Sequence, residues 1–100
     1  MVVARMLLVA LVDRHLREAR LEHRARFVPS GGKGDDPRID IVEVEGGVAM
    51  SIRLRDKRFG VIRYHVNDDG EVATWDDCGW FGSLGEATGR VAAVLRRAAA

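Results

Sequence analysis

The stretch Val48-Ala49-Met50-Ser51-Ile52-Arg53-Leu54-Arg55 decides the fold class. Val48, Met50, Ile52 and Leu54 alternate strictly with Ala49, Ser51, Arg53 and Arg55, and a period of two puts the two sets on opposite faces of a β-strand. The apolar set requires a core on one side. The arginine-bearing set looks the other way, as in an antiparallel sheet with one solvated face.

Further strands are predicted around it. Ile39 to Glu45 precedes it, with Gly46-Gly47 as a two-residue hairpin turn. Asp56-Lys57-Arg58 turns the chain into Phe59 to Val66, which is rich in aromatic and β-branched residues. Asn67-Asp68-Asp69-Gly70 is a type I turn signal, and Glu71 to Trp75 reads as a short edge strand.

Register is less determined than strand existence. A Gly46-Gly47 loop pairs Glu45 with Val48, sets Ile41 against Ile52 and Ile39 against Leu54, and places Asp40 across from Arg53. It also brings Glu43 beside Met50, which points to a bulge near the turn. At the next turn, a two-residue loop sends Phe59 and Val61 inward, and a three-residue loop sends Ile62, Tyr64 and Val66 inward. The second is preferred, because the first set continues into Arg63 and His65.

Helices flank the strands. Residues 2 to about 26 contain no Gly or Pro and are rich in Ala, Leu, Met, Arg and Glu, which predicts one long helix. Ala4, Leu8, Leu11, Val12, His15 and Ala19 share a face, with His15 read as a hydrogen-bonded core residue. Asp13 to Arg17 and Glu22 to Arg26 are spaced as i,i+4 ion pairs. Val3, Met6, Leu7 and Ala10 form a second apolar stripe, so the start of the helix requires cover on two sides. The second helix, or a homodimer through this helix, would supply it. Phe27-Val28-Pro29 ends the helix, and a flexible loop over about 29–38 follows. Within it Ser30-Gly31-Gly32-Lys33-Gly34 lacks the residues and flanking elements of a phosphate loop. At the other end Ser83-Leu84-Gly85-Glu86 is a capping box. It opens a helix to about Arg97 with Leu84, Ala87, Val91, Val94, Leu95 and Ala98 on its apolar face.

The expected architecture is thus α+β: a four-stranded antiparallel meander with N-terminal and C-terminal helices packed on one face, in the order α-β-β-β-β-α. One hundred residues make a single domain spanning 1–100. Hydrophobic residues are 47% and charged residues 31% of the chain, the balance of a globular protein. The net charge of +1 gives no overall drive towards nucleic acid or anionic lipid. The one cysteine, Cys78, excludes an intramolecular disulfide. The apolar run Met6 to Val12 is too short to span a membrane. A cytoplasmic protein without membrane association is expected.

Charge is distributed unevenly. Residues 67–86 hold Asp68, Asp69, Glu71, Asp76, Asp77 and Glu86 and no Lys or Arg, interleaved with Trp75, Trp80 and Phe81. Aromatic anchors among carboxylates fit a surface that attracts a partner protein with a basic surface. Trp75, Asp76, Asp77, Trp80, Phe81, Asp68 and Asp69 are therefore the candidate partner-binding residues. The competing reading caps the core with the tryptophans and solvates turns with the aspartates.

The alternative function is nucleic-acid binding by the basic outer sheet face through Arg53, Arg55, Lys57, Arg58 and Arg63, which could track a phosphate backbone. The acidic residues match no metal-ligand spacing, and Cys78 has no catalytic motif around it. No catalytic residue, metal or cofactor is expected. The sequence reads as a small non-enzymatic binding protein, the size class of inhibitors, immunity-type factors and phage anti-defence proteins.

Overall fold

The computed structural model describes residues 2–29 and 36–99. Helix α1 (Val2–Glu18) leads into five strands: β1 (Arg24–Val28), β2 (Arg38–Val42), β3 (Val48–Arg55), β4 (Arg58–Val66) and β5 (Val72–Phe81). Helix α2 (Leu84–Ala99) closes the chain. The strands form one antiparallel meander in the order β1-β2-β3-β4-β5. The α+β architecture is as expected, with five strands in place of four. Residues 30–35, the centre of the expected loop and the glycine-rich segment, lie outside the described residues. Among the described residues no helix is long and apolar enough to cross a membrane.

The extra strand comes from the segment assigned to a long first helix. That helix stops at Glu18, eight residues earlier than expected. Leu21 N–H donates to Leu16 O and Arg20 N–H to Arg17 O, both at 2.9 Å, with Arg20 at φ +61°. This is a Schellman cap, which glycine usually closes. Here an arginine takes the left-handed position, so the sequence carries no breaker. Leu21 packs against the core where buried Leu16 sits, the apolar contact that accompanies such caps.

Arg24-Ala25-Arg26-Phe27-Val28 then alternates as a strand. The proposed helical pair of Glu22 with Arg26 therefore does not exist. Asp13 does not bond Arg17 either. Its Oδ1 accepts the Ala25 N–H at 2.7 Å, tying edge strand β1 to α1. The ion pair along α1 is Arg14 with Glu18, at 2.9 Å.

Both helices cover one face of the sheet. Val12 and Leu16 of α1 and Ala87, Val91 and Leu95 of α2 meet Ile39, Ile41, Met50, Ile52 and Val61, all buried. Each Val, Leu, Ile or Met side chain among them contributes about 1.5–3 kcal/mol by leaving water. Arg96 Nη2 donates to Ala19 O at 3.2 Å, linking the end of α2 to the end of α1. His15 is half-buried beside this junction, lining a groove with Thr88 and Arg96. The N-cap forms, with the return bond from the hydroxyl rather than the backbone: Ser83 Oγ accepts the Glu86 N–H at 3.2 Å and donates to Glu86 Oε1 at 3.1 Å.

Both hairpin registers differ from the preferred ones. Between β2 and β3 the loop is five residues, Glu43 to Gly47, closed by Glu43 N–H on Gly47 O. Ile39 therefore opposes Ile52, Ile41 opposes Met50, and Asp40 opposes Ser51, with an irregularity after Ile41 where the bulge was expected. Between β3 and β4 the loop is two residues. Arg55 pairs with Arg58, and Asp56 and Lys57 both have positive φ, +48° and +62°. Such a turn matches the right-handed strand twist. It sends Phe59 and Val61 inward and turns Ile62, Tyr64 and Val66 to the outer face, reversing the preferred assignment.

Candidate functional site

Strand β5 carries most of the predicted contact residues, and it is twice as long as expected. Its ten residues form one free edge of the sheet. It pairs with β4 through Tyr64 opposite Trp75, Ile62 opposite Asp77, Gly60 opposite Trp80 and Phe59 opposite Phe81. Two irregularities interrupt that ladder. At the first, Gly79 has φ +107° and its N–H is held by Asp77 Oδ1 at 3.0 Å. Because side chains alternate, the predicted acidic aromatic set is divided between faces. Trp75, Asp77 and Trp80 lie on the outer face, and Asp76 and Phe81 on the helix side.

The outer aromatic residues differ in exposure. Trp80 lies across Gly60, where an added Cβ would meet three ring carbons at 2.9 Å. The Arg53 and Arg55 guanidinium carbons sit 5.7 and 5.3 Å from its ring centroid, within cation–π range. Phe81 packs against the core. Both are half-buried, and neither is an exposed anchor. Trp75 is 63% exposed beside half-buried Tyr64. Val66 and Val72 oppose each other next to them and are 55% and 51% exposed.

Acidic residues flank this apolar cluster along the hairpin. Asp68 and Asp69 are exposed in the β4–β5 turn, where Asn67 Oδ1 accepts the N–H groups of Asp69 and Glu71, both at 3.0 Å. Gly70, at φ +82°, completes the turn with its N–H on Asn67 O. Asp77 stands on the outer face one pair away from Trp75. Asp76 points to the helix side, where its Oδ2 lies 2.6 Å from His65 Nε2. Cys78 Sγ donates to the Asp76 backbone carbonyl at 3.7 Å. Among the described residues no three His, Cys, Asp or Glu side chains gather into a metal-binding group.

The rest of the outer face is basic. Asp40, 2% exposed, lies centrally and accepts hydrogen bonds from Ser51 Oγ at 2.7 Å, Arg38 Nε at 2.8 Å and Arg26 Nη2 at 3.4 Å. The expected Asp40–Arg53 pairing is absent. Arg53 and Arg55 instead share Asp36 Oδ2, at 3.0 and 2.7 Å. Hydrogen bonding and charge attraction from Arg55, then Arg53, hold the Asp36 carboxyl below its usual range, and Asp36 raises the Arg55 pKa in return.

The predicted nucleic-acid set is dispersed. Arg53 and Arg55 are engaged by Asp36 and Trp80, Lys57 is in the turn, Arg58 is exposed beside it, and Arg63 opposes Met50 on the helix side. Sequence reasoning missed Tyr64, Val66 and Val72 beside Trp75 on the outer face and Arg24, Arg26 and Arg38 on its basic part. The alternation in Arg24 to Val28 was the available signal for the arginines of β1.

Comparison of this chain with protein-family models, with curated proteins and with solved structures finds no match.

Proposed function

We propose that this protein is a small non-enzymatic binding protein, of the inhibitor or immunity type, that docks the outer face of its β4–β5 hairpin on a basic protein surface. One observation carries this reading. Tyr64, Val66, Val72 and exposed Trp75 form an apolar cluster on one face, with Asp68, Asp69, Glu71 and Asp77 around it. An exposed apolar patch with a polar rim is the anatomy of a protein-contact surface. An indole this exposed forgoes on the order of 2–4 kcal/mol of burial, which a partner would recover. The carboxylates would steer a cationic partner and reject acidic ones.

The test is affinity capture from the native host, with proteins identified by mass spectrometry. Wild type is compared with Trp75→Ala and with Asp68→Lys/Asp69→Lys. Trp75→Ala should release the captured partner, and the charge reversal should weaken capture most at low salt. Identical capture by wild type and both variants would refute the reading.

A further inference from the structure

One row of cross-strand partners on the outer face crosses the whole sheet: Arg26 on β1, Asp40 on β2, Ser51 on β3, Ile62 on β4 and Asp77 on β5. It begins in a cation, ends in an anion and has a small residue at its centre. The adjacent row places Arg24 and Val42 on β1 and β2, and Tyr64 and Trp75 on β4 and β5. Arg24 and Arg26 are exposed at one margin, and Trp75 and Asp77 at the other.

A face with this order is complementary to itself. A twofold axis lying in the interface along β3 places β1 of one copy over β5 of the other, and β2 over β4. Ser51, fully buried beneath its neighbours, lies at the axis and faces its own symmetry mate without touching it. Arg26 meets Asp77 of the second copy, and Asp77 meets its Arg26. Arg24 lies over the Trp75 indole, a cation–π pair, and Val42 lies over Tyr64. These contacts each occur twice, as an isologous interface requires.

We infer that the partner of this surface is a second copy of the chain, packed outer face to outer face in a twofold sheet sandwich. The inference rests on the protein-binding reading above and names its partner. Sheets stack about 10 Å apart with their strands within about 30° of each other, which arginine and tryptophan side chains can span. Two contacts oppose association, because Arg53 and Arg55 on β3 each face their own symmetry mates. In each copy both are bonded to the one Asp36 carboxylate, at 3.0 and 2.7 Å, which offsets part of their charge. About five strands by six residues bury on the order of 1,000 Å² in total, near the lower limit for a specific dimer. The dimer is therefore weak, concentration-dependent and favoured by low salt.

Sedimentation equilibrium on the full chain, across a concentration series at low and high salt, tests this. Wild type should dimerise at low salt and dissociate at high salt. Asp77→Arg should weaken the dimer about tenfold or more, because each contact of Arg26 becomes repulsive twice over. Arg26→Asp should do the same. An equimolar mixture of the two variants should dimerise as wild type does, since each reversed side chain then meets its opposite. That rescue also separates a lost interface from a lost fold.

A wild-type monomer at every concentration and salt would overturn the inference. If Trp75→Ala still abolished capture of another protein, the broader binding reading would stand without it. A dimer dissolved by Leu7→Asp, with Asp77→Arg at full strength, would place the interface on the exposed Met6 and Leu7 of α1 and overturn the inference as well. Failure of both the dimer and patch-dependent capture would overturn both readings.

Discussion

Trp80 and Trp75 stand five residues apart on the same strand and the same outer face, yet they meet different environments. Trp80 faces Gly60 on β4, rests on its backbone and is covered by Arg53 and Arg55. Trp75 faces Tyr64, a bulky residue where Trp80 meets a glycine, and stays largely in water. The cross-strand neighbour, not the residue type, makes one indole a structural cover and leaves the other available for contact.

Gly60→Val is expected to break this contrast with the largest effect. The new side chain meets the Trp80 ring well inside van der Waals distance, and overpacking of this kind costs about 1–3 kcal/mol. Urea unfolding should show that loss, and tryptophan emission should shift to the red as Trp80 enters water. A Trp80→Ala change in the same chain should be less than additive with it. Full additivity would show that the two residues do not act together.

A smaller effect is expected from the clamp over Trp80. The folded-state pKa of Asp36 is lowered by Arg55, so its contribution to stability is present above the ordinary aspartate range. It is lost as pH falls through the lowered value. Asp36→Asn should remove that acid-side dependence, and the stability difference from wild type should vanish at the low end of the titration. A constant difference across the pH range would exclude the carboxylate as its source.

The smallest stability effect is expected at the other end of the strand. Trp75→Ala removes a mostly exposed side chain and should change unfolding free energy by no more than about 0.5 kcal/mol, measured by the same urea titration. A loss matching that of Trp80→Ala would mean that Trp75 is part of the fold, and the proposed contact surface would lose its anchor.

These two ends also show how far the site could be read from sequence. The acidic composition of residues 67–86, the Asn67–Gly70 turn and the edge position of the last strand were legible, because each rests on local chemistry. Trp75 and the turn aspartates Asp68 and Asp69 are exposed. Trp80 and Phe81 are half-buried and Asp76 points to the helix side, since face assignment depends on the length of the pairing and on bulges. Tyr64 and Val66 share the outer face with Trp75 because the preceding turn has two residues, not three. The early end of α1 was hidden for a different reason: an arginine closes its cap in the position that glycine normally marks.

By itself the sequence determined the α+β class, the alternation of β3, the apolar face of α2 with its N-cap, and the separation of acidic from basic segments. Periodicity, capping and composition act over a few residues and need no knowledge of what lies across the sheet. The tertiary structure alone decided the fifth strand, the register of both hairpins and the faces of Trp75 and Trp80. It also set Asp40 among Arg26, Arg38 and Ser51, and brought a cation and an anion to opposite ends of one row. Those features depend on pairing between residues distant in the chain, where a shift of one position exchanges the two faces.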